Sequence, residues 1–277
     1  MSPDEYCQRR AAASGSSFYY SFLFLPRERR QAITALYAFC REVDDVVDEC
    51  SDAQLARSKL EWWRAEVNNL YAGRPQHPVT RALAPAAARF AITADRLNEI
   101  VDGMEMDLTR TRYLDFAGLE HYCYLVAGVV GMLAAGIFGY RNARTLEYAR
   151  TLGTAFQLTN IIRDIGEDAR KNRIYLPMED LRRYGVTAAD ILEGRATAGF
   201  RDLVRFQIRR AESFYDRALA LLADEDRREQ RPGLIMAAIY RTLLAEIERD
   251  GIQVLKQRTS LTPVRKLWIA WKTWIFA

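Results

Sequence analysis

Proline and glycine are scarce, at 8 and 15 of 277 residues, below the usual ~5% and ~7%. Few turns and long helices follow, and a collagen-like or low-complexity chain is excluded. An excess of charge of one sign is also missing. Forty Lys and Arg against 36 Asp and Glu leave a formal charge of only +4. No internal run of Lys and Arg interleaves with aromatics, so a nucleic-acid partner is not expected. Four cysteines, Cys7, Cys40, Cys50 and Cys123, form no CxxC pair and have no histidines at metal spacing. They suit a reducing compartment and a fold without disulfides, and point to the cytoplasm. The early apolar run Phe18–Leu25 is short, follows Asp4 and Glu5, and leads into Pro26-Arg27-Glu28-Arg29-Arg30. It does not read as a secretory leader.

What is present is apolar and helical. Hydrophobic residues make up 49% and charged residues 27%, which excludes disorder and supplies a substantial core. Ser2-Pro3-Asp4-Glu5 is a helix-opening signature. Helical patterns follow to about Glu49, then over Asp52–Tyr71, Val79–Phe90, Thr93–Leu108, Gly118–Tyr140, Ala143–Asp168, Phe200–Ala223 and Gly233–Gln257, with a last helix from Pro263. Strand-type alternation and Ser/Gly linkers are absent, so residues 1–277 are expected to form one all-α domain. Tyr122–Tyr140 carries no charge and approaches the ~20 residues that span a bilayer. Its four glycines and modest Leu/Ile content favour a buried central helix over a membrane span.

Two acidic stripes carry the chemistry. Tyr37, Arg41, Asp44 and Asp48 are spaced 4, 3 and 4 residues apart, so they share one helical face. Leu36, Phe39, Val43, Val46 and Val47 point elsewhere, toward a core. Taken alone, the stripe could equally be a solvated polar face. The second stripe is harder to dismiss. Gln157, Asn160, Asp164 and Asp168 share a face of a helix that is otherwise apolar nearly all round. Buried unpaired carboxylates cost several kcal/mol each, so a polar cavity, basic partners or a cation must compensate. Two facing DxxxD rows with Arg41, Arg163, Lys171 and Arg173 beside them suit Mg²⁺ and a diphosphate. Magnesium prefers oxygen ligands shared with phosphates, and guanidinium forks take the remaining phosphate oxygens. A di-iron bundle lacks its Glu-x-x-His pairs, an EF-hand its loop, and nucleotide folds their GxGxxG or GxxxxGK[ST] signatures.

At these stripes the sequence resembles the head-to-head trans-isoprenyl diphosphate synthases, the squalene and phytoene synthase family. Ser17-Phe18, Tyr37–Asp48, Tyr122–Gly128 and Gln157–Pro177 match in the expected order. Within the family, Ser16–Glu49 looks most like bacterial presqualene diphosphate synthases of hopanoid pathways. The resemblance implies a single-domain isoprenoid synthase fold, with helices around a central cavity. It also implies Mg²⁺-dependent condensation of two molecules of farnesyl diphosphate to presqualene diphosphate. By position, Asp44, Asp48, Asp164 and Asp168 would hold Mg²⁺ beside Asn160 and Gln157. Arg41, Arg163, Lys171 and Arg173 would bind diphosphate, joined by Tyr240 and Arg258. Ser17, Phe18, Tyr37 and Tyr122 would line the reaction region, with Tyr122 matching a tyrosine thought to guide proton removal. Ser16 stands where reductive squalene synthases usually carry a basic residue, so neither a full two-step squalene synthase nor NADPH is expected. The alternatives are a phytoene or dehydrosqualene synthase of carotenoid biosynthesis and, from another class, a non-catalytic isoprenoid-diphosphate binding protein. Partner enzymes would be downstream isoprenoid enzymes.

Two further features have double readings. Ala127, Gly131, Ala135 and Gly139 recur every four residues and serve either close helix packing or a prenyl groove. Trp268, Trp271, Trp274, Ile275 and Phe276 beside Arg265, Lys266 and Lys272 suit a membrane interface, or packing onto the protein's own surface.

Overall fold

Ser2 and Glu5 cap the first helix reciprocally in the computed structural model. The Glu5 amide donates to Ser2 Oγ at 3.2 Å, and the Ser2 amide donates to Glu5 Oε2 at 2.7 Å. The structure describes residues 1–13, 18–50 and 52–276, with Phe18 and Tyr19 through their backbone alone. The sequence-predicted Ser17 lies outside the described residues.

Fourteen α-helices are described in chain order. They are α1 (Pro3–Ala13), α2 (Phe18–Phe22), α3 (Arg27–Glu49), α4 (Ala53–Tyr71), α5 (Pro78–Arg89), α6 (Ala94–Thr109), α7 (Phe116–Cys123) and α8 (Val129–Phe138). After these come α9 (Arg144–Arg170), α10 (Met178–Arg183), α11 (Ala188–Leu192), α12 (Ala198–Leu221), α13 (Arg231–Arg249) and α14 (Pro263–Phe276). Among the described residues there is no strand, only an isolated bridge between Arg112 and Ile174. The start signals are local: Asp52, Thr93, Asp115 and Thr197 each accept backbone amides as N-caps, satisfying donors that a helix's first turn leaves open.

One boundary differs from expectation. Helix α13 stops at Arg249 instead of running to Gln257. Gly251 (φ +75°) and Ile252 (φ +60°) turn the chain into the left-handed region, and the Ile252 amide donates to the Ile247 carbonyl at 3.1 Å. That closure ends a helix and sends residues 250–262 back across the molecule.

The core has two lobes. One joins α3, α4, α5, α6 and α8 around Leu36, Phe39, Leu60 and Leu97. The other joins α7, α9, α12 and α13 around Tyr148, Phe200, Tyr215 and Leu244. Helices α7 and α8 run on through a π-helical turn, Tyr124–Gly128. Together they form the helix Phe116–Phe138, the one among the described residues that is long and apolar enough to cross a membrane by length and composition; 56% of its most apolar stretch is buried inside the fold. Its small-residue stripe is a packing device. A Cβ on Gly131 would lie 2.3 Å from the Ala149 carbonyl oxygen, and one on Gly153 would lie 2.3 Å from that of Ala127. The two backbones therefore touch, and along Ala127–Gly131 the close-packing reading holds in place of a groove.

Candidate active site

The alternation within α3 divides its surface. Leu36, Phe39, Val43 and Val47 are buried in the first lobe. Tyr37, Arg41, Asp44 and Asp48 consequently turn the other way, into a cavity of about 710 Å³ at the seam between the lobes. Across the seam, Ile161, Ile162 and Ile165 fix α9 in the second lobe. That orientation aims Gln157, Asn160, Asp164 and Asp168 into the same cavity. The two carboxylate rows, from distant parts of the chain, thus share one space.

Cations compensate most of this negative charge. Arg41 forks between two carboxylates, donating to Asp44 Oδ2 at 2.6 Å and to Asp45 Oδ1 at 2.7 Å. Asp48 faces Arg173 at 3.0 Å and Lys171 at 3.2 Å. Asp164 is held by Arg163, whose Nε donates at 2.7 Å, and by Arg258 at 2.8 Å. Burial pushes Asp164 up, but these two guanidiniums outweigh it and hold the carboxyl below its ordinary value. Asp168 has no ion pair among the described residues. Burial, with Asp164 and Asp107 nearby, raises it to about 7. Burial, aided by Asp48 and Asp45, likewise raises Asp44 to about 6 despite Arg41. Two carboxylates here therefore lack sufficient positive charge.

The donor set fits magnesium. It consists of carboxylate and amide oxygens, and Asn160 Oδ1 is buried without a hydrogen-bond partner. Among the described residues no three acidic, His or Cys side chains converge into a ready-made cage.

A second acidic centre was not anticipated. Asp107 of α6 is only 8% exposed and accepts from the hydroxyls of Tyr122 and Tyr175, both at 2.8 Å. The two phenol rings stack at 5.3 Å, and all three residues line the cavity. Burial raises Asp107 to about 6, against the two phenol hydrogen bonds that lower it. Burial and the adjacent Asp107 charge put Tyr122 well above its ordinary value, so its proton stays on oxygen. Tyr175 is set by backbone: the Ile174 amide donates to Thr111 O at 3.0 Å, and the Met178 amide to Tyr113 O at 2.8 Å.

Of the sequence-predicted site residues, Tyr37, Arg41, Asp44, Asp48, Tyr122, Gln157, Asn160, Arg163, Asp164, Asp168, Lys171, Arg173, Tyr240 and Arg258 all line this one cavity. Ser17 and the Phe18 side chain fall outside the described residues. Sequence reasoning passed over Asp107, Tyr175, Lys266 and the returning stretch 259–261, which also line it. Asp107 did leave a signal: it follows Leu97, Ile100 and Met104 at helical spacing, an acid in an apolar stripe. The return is built by Gly166. A Cβ there would lie 2.6 Å from the carbonyl oxygens of Val254 and Leu255, and the Gly166 amide donates to Val254 O at 3.1 Å. This contact brings Arg258 onto Asp164.

The model of the squalene/phytoene synthase family matches residues 11–265. The chain belongs to that family. Among its relatives, phytoene synthase of Arthrospira platensis is 36% identical over 95% of this chain and 89% of its own length. Chloroplastic phytoene synthase of Narcissus pseudonarcissus is 35% identical over 94% of this chain, which spans 63% of that longer protein. A dehydrosqualene synthase solved in complex with ligand superposes with a TM-score of 0.88 at 28% identity, covering 99% of this chain and 96% of that one. Squalene synthase HpnC from Alicyclobacillus acidocaldarius superposes at 0.78 and 30% identity, over 90% of this chain and 94% of that one. The all-α isoprenoid synthase fold expected from sequence is the fold of these neighbours. Squalene/phytoene synthases are prenyl-transferring enzymes that bind isoprenyl diphosphates.

Proposed function

We propose that this chain joins two allylic isoprenyl diphosphates head to head, with magnesium, and that its product is a carotenoid precursor of the phytoene or dehydrosqualene type. The observation that carries the reaction is the pair of DxxxD rows, with six basic side chains, around one cavity. The product class is supported by the names of the relatives, which favour the carotenoid alternative over the presqualene diphosphate expected from Ser16–Glu49.

Each part of the cavity has a task. Asp44, Asp48, Asp164 and Asp168, with Asn160 and Gln157, would hold Mg²⁺, which when bound supplies charge neutralisation for the departing diphosphate. Arg41, Arg163, Lys171, Arg173 and Arg258 take diphosphate oxygens and stabilise the charge that develops as the carbon–oxygen bond breaks. The allylic cation left behind is attacked by the C2–C3 double bond of the second chain, and loss of a proton closes a cyclopropane; departure of the second diphosphate, rearrangement of the ring to a 1,1′-linked cation and loss of a second proton then give the hydrocarbon without any reductant. Met104, Val126, Ile239 and Leu243 line the same cavity and keep water from the cation. Tyr37 and Tyr240 stand beside the diphosphate region, and Tyr122, anchored on Asp107, is the protein group best placed to guide the proton away.

A second reading, release of the cyclopropyl diphosphate itself, is favoured by the likeness to squalene synthase HpnC. One experiment separates these. The pure protein is incubated with farnesyl or geranylgeranyl diphosphate and Mg²⁺, with and without NADPH, and the lipid is identified by mass spectrometry. A dehydrosqualene or phytoene product, unchanged by NADPH, is expected. Presqualene diphosphate as the end product selects the second reading. Substrate binding without diphosphate release overturns both and leaves a binding protein.

A further inference from the structure

Helix α14 contains no acidic residue and three cations, Arg265, Lys266 and Lys272. Its inner face is already engaged. Ala270 is fully buried, Trp274 stacks on Phe24 at 5.0 Å, and the Arg231 guanidinium covers Trp274 at 5.2 Å. Arg265 pairs with Glu246 at 2.5 Å. Packing onto the protein's own surface, one of the two sequence-based readings, is therefore real, yet it uses only Ile269, Ala270 and Trp274 of the apolar side chains.

The others are exposed. At 3.6 residues per turn, Val264, Leu267, Trp268, Trp271 and Ile275 fall within one arc of about 100°. Their exposures are 78, 47, 59, 46 and 48%, and the Trp268 and Trp271 rings stack at 5.2 Å on that face. Exposed Lys272 flanks the arc. A contiguous apolar face of this kind marks an interaction surface.

We infer that the outward face of α14 docks on a lipid bilayer that carries anionic headgroups. Three observations select this occupant. Tryptophans beside a lysine match the apolar and polar halves of a membrane interface. The absence of acids gives the helix charge complementary to anionic lipid, whereas a twofold copy would set Lys272 against its like. Finally, the helix adjoins the cavity on its inner side: Lys266 and residues 258–261, just before and within the first turn of α14, form part of the cavity wall, opposite the outward face. The inference concerns location and does not depend on which lipid the cavity makes.

The test is sedimentation of the full-length protein with phosphatidylcholine vesicles, with and without phosphatidylglycerol, at low and high salt. The wild type is expected to co-sediment with the anionic vesicles, less so at high salt, with a blue shift in tryptophan emission. Replacing Trp268→Ser and Trp271→Ser together is expected to weaken partitioning at least ~10-fold, and Lys272→Glu to erase the anionic preference. Neither set lies in the cavity, so diphosphate release from soluble substrate and far-UV circular dichroism stay at wild-type values. Wild-type protein left in the supernatant with every vesicle overturns the inference. So does a dimer, measured by light scattering, that the double tryptophan variant dissolves, since the face then belongs to a second copy. Failure of diphosphate release in both wild type and variants tells against the proposed reaction and not against docking.

Discussion

The Tyr122 hydroxyl donates to Asp107 Oδ2 at 2.8 Å, and this bond couples a residue of the central helix to a carboxylate hidden within α6. Tyr175 donates to the other oxygen at the same distance. The carboxylate therefore orients both phenols at the cavity wall. A charge-assisted bond of this kind is worth ~1.5–3 kcal/mol. Asp107→Asn keeps the volume but offers a phenol only one neutral acceptor. It is expected to lower kcat roughly 10- to 100-fold with little change in KM. Tyr122→Phe is expected to do the same. Steady-state kinetics checks both, and wild-type kcat in the two variants would remove Asp107 from the site's working parts.

Asp48→Asn and Asp164→Asn each remove one charge from the paired rows. Both are expected to abolish turnover while circular dichroism shows unchanged helicity, because neither side chain carries the core. Chelation with EDTA should likewise stop diphosphate release, and added Mg²⁺ should restore it. Turnover at the wild-type rate in both variants is incompatible with the proposed ion site.

Gly166→Ala tests the chain return. Its new methyl meets two backbone carbonyl oxygens at 2.6 Å, so the 254–255 segment must move, and Arg258 with it. The expected result is a rise in KM for the diphosphate substrate of roughly 10-fold, the cost of one charge-assisted contact. Arg258→Ala should reproduce it. An unchanged KM in Gly166→Ala means that the return does not position Arg258.

Asp226 anchors the start of α9 from a distance. Its buried carboxylate accepts from the Arg141 amide at 2.7 Å, the Asn142 amide at 3.0 Å and Thr145 Oγ1 at 2.6 Å. Burial pushes its pKa up, but these bonds outweigh it and leave the group below its ordinary value. A depressed carboxylate stabilises the fold above the unfolded-state pKa and loses that contribution as pH falls through the folded-state value. Asp226→Ala should therefore cost about 2–4 kcal/mol near neutrality, several degrees in Tm. The gap between wild type and variant should close as pH falls below ~4. A gap independent of pH would show that the carboxylate's charge is not involved.

Much of the site could be read from sequence because its chemistry is periodic. Asp44 and Asp48, or Asn160, Asp164 and Asp168, are helical neighbours, and their shared direction needs no tertiary knowledge. The spread-out family motifs placed Tyr122, Tyr240 and Arg258 by position. Asp107 escaped because Asp102 and Glu105 precede it on the same helix. One more acid there, after Asp95, Glu99, Asp102 and Glu105, reads as more solvated surface unless its register with Leu97, Ile100 and Met104 is followed. The return of residues 250–262 escaped for another reason. The Asp250-Gly251 stop was read through as helix, and the contact that gives it meaning, Gly166 against Val254 and Leu255, joins positions far apart in the chain. The short helices α10 and α11 were likewise lost among turn signals.

The ion pairs within the cavity have a thermodynamic consequence. Asp48 and Asp164 already have internal counter-ions in Lys171, Arg173, Arg163 and Arg258. A divalent ion arriving alone must compete with those ammonium and guanidinium groups for the same oxygens, and a pyrophosphate arriving alone must pull the cations from their carboxylates. Arriving together, each takes the partner the other releases. Metal and substrate should consequently bind with positive linkage, each raising the other's affinity by the same factor, and the ligand-free protein holds its shape by having its opposite charges neutralise one another in the meantime.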